Sequence, residues 1–385
     1  MRPHKLFRKD SRLTLLVLTA LLWMLPAASE AGSPLRFLKK LGTVIDTMAV
    51  KGVDPNYIES PERPWQVIVK GNVNQSELKM KTSGEIAGEP YHATPRLKTE
   101  PAQYVGLWGG YRGYGIGYTV NVGGDRGSYL TFGATGATYG VNVRIHTFRN
   151  DEPRYDLEST LIPEDEKESW SKIKLVDPIK VRTVIADAYY LFNGRHFSYC
   201  AAYDMSVIQR RSAGSLMVGG MYYYGHINYA SHPNGDLVEL MRGLGRVKLW
   251  QGSVGVGYAY NWVPARGLLV NVMAMPMLTF VNKIKAFGYK TNVSQLLQEM
   301  DAHDQDTDEE WDKWWYSSLR IEPMGDKTFS GGLTVNFDAR LSLVYNVDRY
   351  FFNVYGQFYN FRYHHNGSRG RLSEWYVNAA MGVRL

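Results

Sequence analysis

Residues 371–385 set the pattern that recurs along this chain. Taken two at a time, Trp375, Val377, Ala379, Met381, Val383 and Leu385 fall on one face, and Tyr376, Asn378, Ala380, Gly382 and Arg384 on the other. That period of two belongs to a β-strand whose faces meet different surroundings. It returns as Trp250, Val254, Val256, Tyr258, Tyr260 and Trp262 against Gln251, Ser253, Gly255, Gly257, Ala259 and Asn261. It returns again as Leu333, Val335, Phe337, Ala339, Leu341 and Leu343 against Thr334, Asn336, Asp338, Arg340 and Ser342. Strands are predicted over 65–80, 102–111, 114–122, 129–137, 140–148, 180–192, 216–224, 250–262, 268–280, 329–345, 350–363 and 371–385.

The connections divide by length. Tight turns fall at 112–113, 138–139, 193–195, 263–267 and 346–348, and long polar loops at 82–101, 150–178, 228–246, 284–327 and 365–371. A membrane barrel with short turns on one side and long loops on the other, both ends lying with the turns, has this arrangement. Turn and loop counts from the two ends agree if 195–224 contributes one spanning strand, which predicts an all-β, antiparallel, up-and-down transmembrane barrel of about 12 strands. Two ordinary strands there, with another missed elsewhere, make 14. Aromatic residues at both ends of an apolar face, as in 250–262, are what the two interfaces of a bilayer select.

Composition supports this architecture. The chain has 27 Tyr, 10 Trp and 38 Gly, and a mean hydropathy of −0.31 fits strands on which only every second residue meets lipid. A secreted β-sandwich is the alternative. At the N-terminus, Arg2, Lys5, Arg8, Lys9 and Arg12 precede the apolar run 13–25 and the small residues Ala27, Ala28 and Ser29, the form of a secretory signal over 1–29. Its removal takes five basic residues and Asp10, a net four charges, so +7 becomes +3; no clustered basic surface for nucleic acid is expected. One cysteine, Cys200, excludes an intramolecular disulfide framework. The Pro-punctuated stretch 30–64 is expected to form a periplasmic strap before a barrel over 65–385.

The parity argument requires 197–214 to be an inward-folded or broken segment near the periplasmic mouth, presenting Asp204, Gln209, Arg210 and Arg211 to the lumen; Ser212 and Ser215 follow them. Charges on strands cost too much against lipid, about 2–4 kcal/mol for Arg or Lys at mid-depth. Lys70, Arg144, His146, Asp187, Asp338, Arg340, Arg362 and Arg384 are therefore expected to face inward, lining an aqueous path or pairing into a plug.

Gln209-Arg210-Arg211-Ser212-Ala213-Gly214-Ser215, the hairpin Tyr111-Arg112-Gly113-Tyr114-Gly115-Ile116-Gly117 and the lead-in Asp54-Pro55-Asn56-Tyr57-Ile58 resemble domain-of-unknown-function family 4421 of secreted Bacteroidota proteins. The resemblance covers most of the mature chain and implies an outer-membrane setting, with no established activity or site.

Other motifs fall short of chemistry. Asp304-Gln305-Asp306-Thr307-Asp308 opens like a calcium loop, but Glu309 stands where Gly is needed and Trp315 where a bidentate Glu is needed. The glycines of 113–117 lie in an alternating strand, not at the start of a helix, so they build no phosphate cradle. No Gly-x-Ser-x-Gly occurs; Ser206, Ser212 or Ser215 with His196 or His226 are the remaining nucleophile and base candidates. No catalytic residue, metal site or cofactor is assigned. The expected function is a non-enzymatic channel, transporter or envelope-assembly component; the alternatives are a membrane-embedded enzyme acting on lipid and a structural or adhesive surface protein. Expected partners are outer-membrane lipid, the barrel-assembly machinery and small solutes.

Overall fold

The structure, a computed structural model, describes residues 50–385 except 87–88, 125, 160–170, 173–174, 176, 232–233, 242, 300–306 and 366–367. The signal expected over 1–29, the strap before residue 50 and the acidic run at Asp304 lie outside the described residues.

The described chain runs β1 (Ile58–Glu59), β2 (Trp65–Ile86), β3 (Glu89–Lys98), β4 (Ala102–Tyr111), β5 (Tyr114–Gly123), β6 (Arg126–Thr135), β7 (Tyr139–Asn150), β8 (Arg154–Ser159), β9 (Ser171–Lys172) and β10 (Ile179–Leu191). A short helix α1 (Tyr199–Tyr203) and β11 (Ile208–Gln209) precede β12 (Ala213–Asn228), then α2 (Gly235–Leu240), β13 (Leu244–Ala265), β14 (Leu268–Thr291), α3 (Val293–Glu299), α4 (Asp308–Ser318), β15 (Ile321–Ser330), β16 (Thr334–Val347), β17 (Tyr350–His365) and β18 (Ser368–Arg384). Among the described residues twelve strands form a closed antiparallel circuit, β2, β4, β5, β6, β7, β10, β12, β13, β14, β16, β17, β18 and back to β2. The seam pairs Arg384 with Gln66 and continues to Arg369 with Lys81.

Alternation places the side chains. Val254, Val256, Tyr258, Tyr260 and Trp262 point outward and are exposed, while Gln251, Ser253, Ala259 and Asn261 point inward and are buried. An exposed apolar band this extensive matches hydrocarbon, not water. At roughly 3.3 Å per residue and a strand tilt of roughly 40°, the run from Trp250 to Trp262 spans about 30 Å along the axis. Trp65, Trp262, Tyr345 and Tyr350 ring the turn end, and Tyr222, Phe280, Phe337 and Trp375 ring the loop end, all outward and exposed.

The turn end is built from tight reversals. Arg112 and Gly113 both take positive φ (44° and 89°), as a two-residue hairpin matched to strand twist requires. The loop end departs from the predicted coil. The stretch expected as loop 82–101 continues β2 and returns as β3, which pairs β8, and β8 pairs β9. β14 likewise runs on to Thr291 and pairs β15. Strands that leave the band keep their backbone groups satisfied by recruiting new partners. α4 is held by a capping box, Thr307 with Glu310. Pro276 leaves a gap in the β13–β14 ladder, which passes from Gly255–Met277 to Tyr258–Ala274, because proline has no N–H to donate.

Candidate functional site

The inward segment between β10 and β12 forms the floor of the lumen at the turn end. Ser198 caps α1 by accepting from the Ala201 N–H at 3.2 Å, and Cys200, Ala201 and Ala202 are fully enclosed. Gln209, 2% exposed, uses its whole amide. Its Oε1 accepts from the Ser198 N–H and from Asn261, both at 3.0 Å, and its Nε2 donates to the carbonyls of His196 and Arg211. Tyr203 donates to Asn271 at 2.5 Å, Asn271 donates to Asn261 at 2.7 Å, and Ser342 donates to the Ala202 carbonyl at 2.6 Å. Arg384 donates to the Met205 carbonyl at 3.2 and 2.8 Å and to Asn346 at 2.6 Å. The floor is thus fastened by hydrogen bonds to β13, β14, β16 and β18, and β11 pairs β1 of the strap beneath it.

Above the floor lies a buried ionic cluster. Arg340 meets Asp338 at 2.8 Å and Asp187 at 3.2 Å, and donates to the hydroxyls of Tyr199 and Tyr189. Tyr189 donates to Asp338 at 2.8 Å, Gln357 to Asp338 at 3.0 Å and Asn142 to Asp187 at 2.8 Å. Each carboxylate therefore has a cation and a neutral donor, as buried charge demands.

Beside this cluster is a cavity of about 130 Å³ lined by Lys70, Trp108, Arg144, Tyr199, Tyr355 and Tyr376, among others, with room for several waters. A second, of about 50 Å³, is lined by Phe148, Asn150, Tyr223 and Glu374, among others. Register stacks the two. On β7 the inward positions Asn142 and Arg144 line the first and Phe148 and Asn150 the second; on β18 Asn378 and Tyr376 line the first, Glu374 and Leu372 the second. Between them His146 lies stacked on Tyr129 (centroids 3.7 Å) and Phe148 (4.5 Å), and Tyr104 shares a 2.9 Å hydrogen bond with it.

The two walls of the lumen differ in how their polar groups are met. On β13, β14 and β16, Gln251 donates to Asn282 at 2.9 Å and to the Arg362 carbonyl at 2.8 Å, Asn336 donates to Gln251 at 3.0 Å, and Ser253 bonds Thr279 at 2.9 Å. On β2 to β7, buried polar atoms of Gln66, Asn72, Asn74, Thr119, Tyr129, Arg144 and Asn150 have no protein partner. Among the described residues, the strands from β12 to β18 show such atoms at Tyr223, Arg246 and Arg384, among others.

The candidates named from sequence fall in three places. Asp204, Gln209, Ser215 and Arg384 are in or under the floor; Asp187, Asp338 and Arg340 form the cluster; Arg144 lines the cavity. Three placements are corrected. Arg210 and Arg211, expected in the lumen, lie exposed at the mouth, Arg210 paired with Glu59 at 2.9 Å and Arg211 over the Tyr57 ring at 5.8 Å. They sit on the connection after β11, where strand alternation does not apply. Arg362, expected inward, is exposed, because Tyr359 and Phe361 hold the inward positions of β17. It lies near the loop end, where an outward charge meets water or headgroups.

The serines give no nucleophile with a base. Ser212 accepts from the Val263 N–H at 2.9 Å, Ser215 accepts from Asn193 and donates to the Leu216 carbonyl, and His196 is turned to Asp54 (3.6 Å) and Asn193 (3.2 Å). Ser206 and His226 lie apart, on the floor and on β12. Inward tyrosines of the sequence alternation, Tyr189, Tyr355 and Tyr359, were the available signal for the lumen; Tyr199, Tyr203 and Trp108 escaped it. The ring of Trp108 is seated over glycines of β5, since a Cβ on Gly115 or Gly117 would come within 2.5 or 2.7 Å of it.

Fold and lumen together define a β-barrel of the outer-membrane type. The chain belongs to the family described as domain of unknown function DUF4421, whose model matches residues 52–384. No curated protein matches it in sequence. Solved structures similar to it include the outer-membrane protease OmpT of Escherichia coli (6% identity, 84% of this chain and 97% of that one, TM-score 0.40). The outer-membrane protein OprG of Pseudomonas aeruginosa is another (11%, 83% and 96%, TM-score 0.26), as is the β domain of the Bordetella autotransporter BrkA (9%, 84% and 100%, TM-score 0.29).

Proposed function

We propose that this protein is an outer-membrane conduit for small solutes, closed in its resting form at the periplasmic end by the segment 193–212. The leader, the lipid-facing band and the grouping of tight turns with the barrel termini support that membrane and that orientation. The observation that carries the reading is the pair of stacked cavities along β7 and β18, bordered by the wall whose buried polar atoms lack protein partners. Such atoms cost about 1–3 kcal/mol each when unmet, so that wall is suited to water and passing solute, not to a dry core. Between its two ends the closing segment is held to the wall by hydrogen bonds and packing, without a disulfide, so it opens if those anchors are removed.

Single-channel recording of the refolded full chain tests this. The wild type is expected to be silent. Tyr199→Ala/Tyr203→Ala, or replacement of 198–207 by a Gly-Ser linker, is expected to conduct steadily. Variants that remain silent while showing the β circular dichroism and heat-dependent gel mobility of a folded barrel overturn the reading.

A further inference from the structure

The lower cavity brings together two cations, Lys70 and Arg144, and among the described residues neither is ion-paired, although Asp187 and Asp204 also line it. Lys70 on β2 donates to Thr131 at 3.2 Å and stands 5.2 Å from the centre of the Trp108 ring. Thr131 is the ladder partner of Arg144, so the ammonium and the guanidinium flank one residue of β6. Arg144 donates to Gln357 at 3.3 Å through Nη2 and lies 4.3 Å from the Tyr376 ring centre. Its Nε and Nη1 are buried and have no protein acceptor.

Two of the interior carboxylates are committed elsewhere. Asp187 is bound by Arg340 and Asn142, and Asp338 by Arg340, Tyr189 and Gln357. Asp204, which lines the lower cavity, accepts from the Ser206 N–H at 2.9 Å through Oδ1 and leaves Oδ2 unmet, and Glu374 faces the upper cavity; among the described residues neither is ion-paired with Lys70 or Arg144. Room for Lys70 is built in, because a Cβ at Gly117 would lie 2.9 Å from its Nζ.

Like charges adjacent in a low-dielectric interior repel strongly, and a buried guanidinium whose Nε–H and Nη1–H groups are unmet still has charged donors to offer an oxyanion. We propose that Lys70 and Arg144 form a binding site for a small oxyanion, a carboxylate or a phosphate, inside the barrel. The site names the solute class of the conduit proposed above and in that respect rests on it, but binding itself does not require passage.

Calorimetric titration of the refolded full chain in detergent with inorganic phosphate and with acetate tests the site and separates the two sources of oxygen pairs. Saturable binding of at least one is expected in the wild type. Arg144→Gln and Lys70→Gln should each weaken it roughly tenfold or more, the loss of a charge-assisted contact. Arg144→Lys, which keeps the charge and the fold but not the fork, should bind more weakly than wild type and better than Arg144→Gln. Arg210→Gln at the mouth should leave it unchanged. Absence of binding by the folded wild type, or equal binding by Arg144→Gln, overturns the site. Binding by a barrel whose floor variants never conduct leaves the site standing and the conduit refuted; conduction without binding does the reverse.

Discussion

The two walls of this lumen are made from the same residue types and behave differently. From β13 to β17, asparagines, glutamines and hydroxyls meet one another, and Asp338 and Arg340 of β16 close a complete ionic cluster with Asp187 of β10. From β2 to β7, asparagines and one arginine present buried atoms that no protein group meets. A satisfied network fixes a single arrangement, whereas an unsatisfied one awaits a partner. The first wall holds the barrel and its floor in shape; the second is where solute and water have something to bind.

Two arginines break the comparison most directly. Arg340→Met leaves Asp187 and Asp338 buried without their cation, and should destabilise the barrel by about 3–5 kcal/mol, read as a fall in the urea midpoint of the refolded protein. Asn271→Ala removes one donor and one acceptor shared with Asn261 and Tyr203. Its expected cost is about 1–3 kcal/mol, together with conductance from a loosened floor. Arg144→Leu should change stability by no more than about 1 kcal/mol, because it gives up one 3.3 Å bond to Gln357 while discarding two donors, Nε and Nη1, that the protein leaves unmet. A loss on Arg144→Leu equal to that of Arg340→Met refutes the distinction between the walls.

Smaller effects belong to the strap. Breaking the exposed Arg210–Glu59 pair by Arg210→Ala should cost under about 1 kcal/mol and less still in high salt. Asp54 is held below its ordinary value of 3.8, chiefly by the Asn56 N–H at 2.9 Å, with further help from His196 and Arg195. A carboxyl lowered by folding stabilises the strap above that ordinary value and ceases to do so as pH falls through the lowered one. Proteolysis between the strap and Trp65 should therefore quicken in strong acid, and Asp54→Asn should remove that dependence.

Much of the barrel was legible because each strand repeats the same two-residue rule, so an error in one does not spread to the next. Val254 to Trp262 outward and Ser253 to Asn261 inward follow it directly. The rule lost its authority where the band ends. Arg362 could face out there at no cost, and Glu89–Lys98, punctuated by Pro90 and Pro95, formed β3 between two partners, β2 and β8, that the pattern did not declare. The inward course of the segment after β10 followed from parity, but its helix did not, since five residues of α1 are too few for periodicity to declare. The orphaned atoms of β2 to β7 were beyond the sequence altogether, because satisfaction depends on partners brought together across the lumen.

The seam between β18 and β2 has a bearing on how the molecule comes into being. Trp375 and Gln75, which share a hydrogen bond there, are 300 residues apart in sequence, whereas most other wall pairings join strands that are close neighbours along the chain. Every local hairpin can zip before that contact exists, so the entropic cost of bringing the ends together is met last and in one step. Until then the sheet has two raw edges, each offering its N–H and C=O groups to any passing strand. A chain cut short within β18 would keep most of its hairpins and still lack a wall, and its fate would be decided by what reached those edges first.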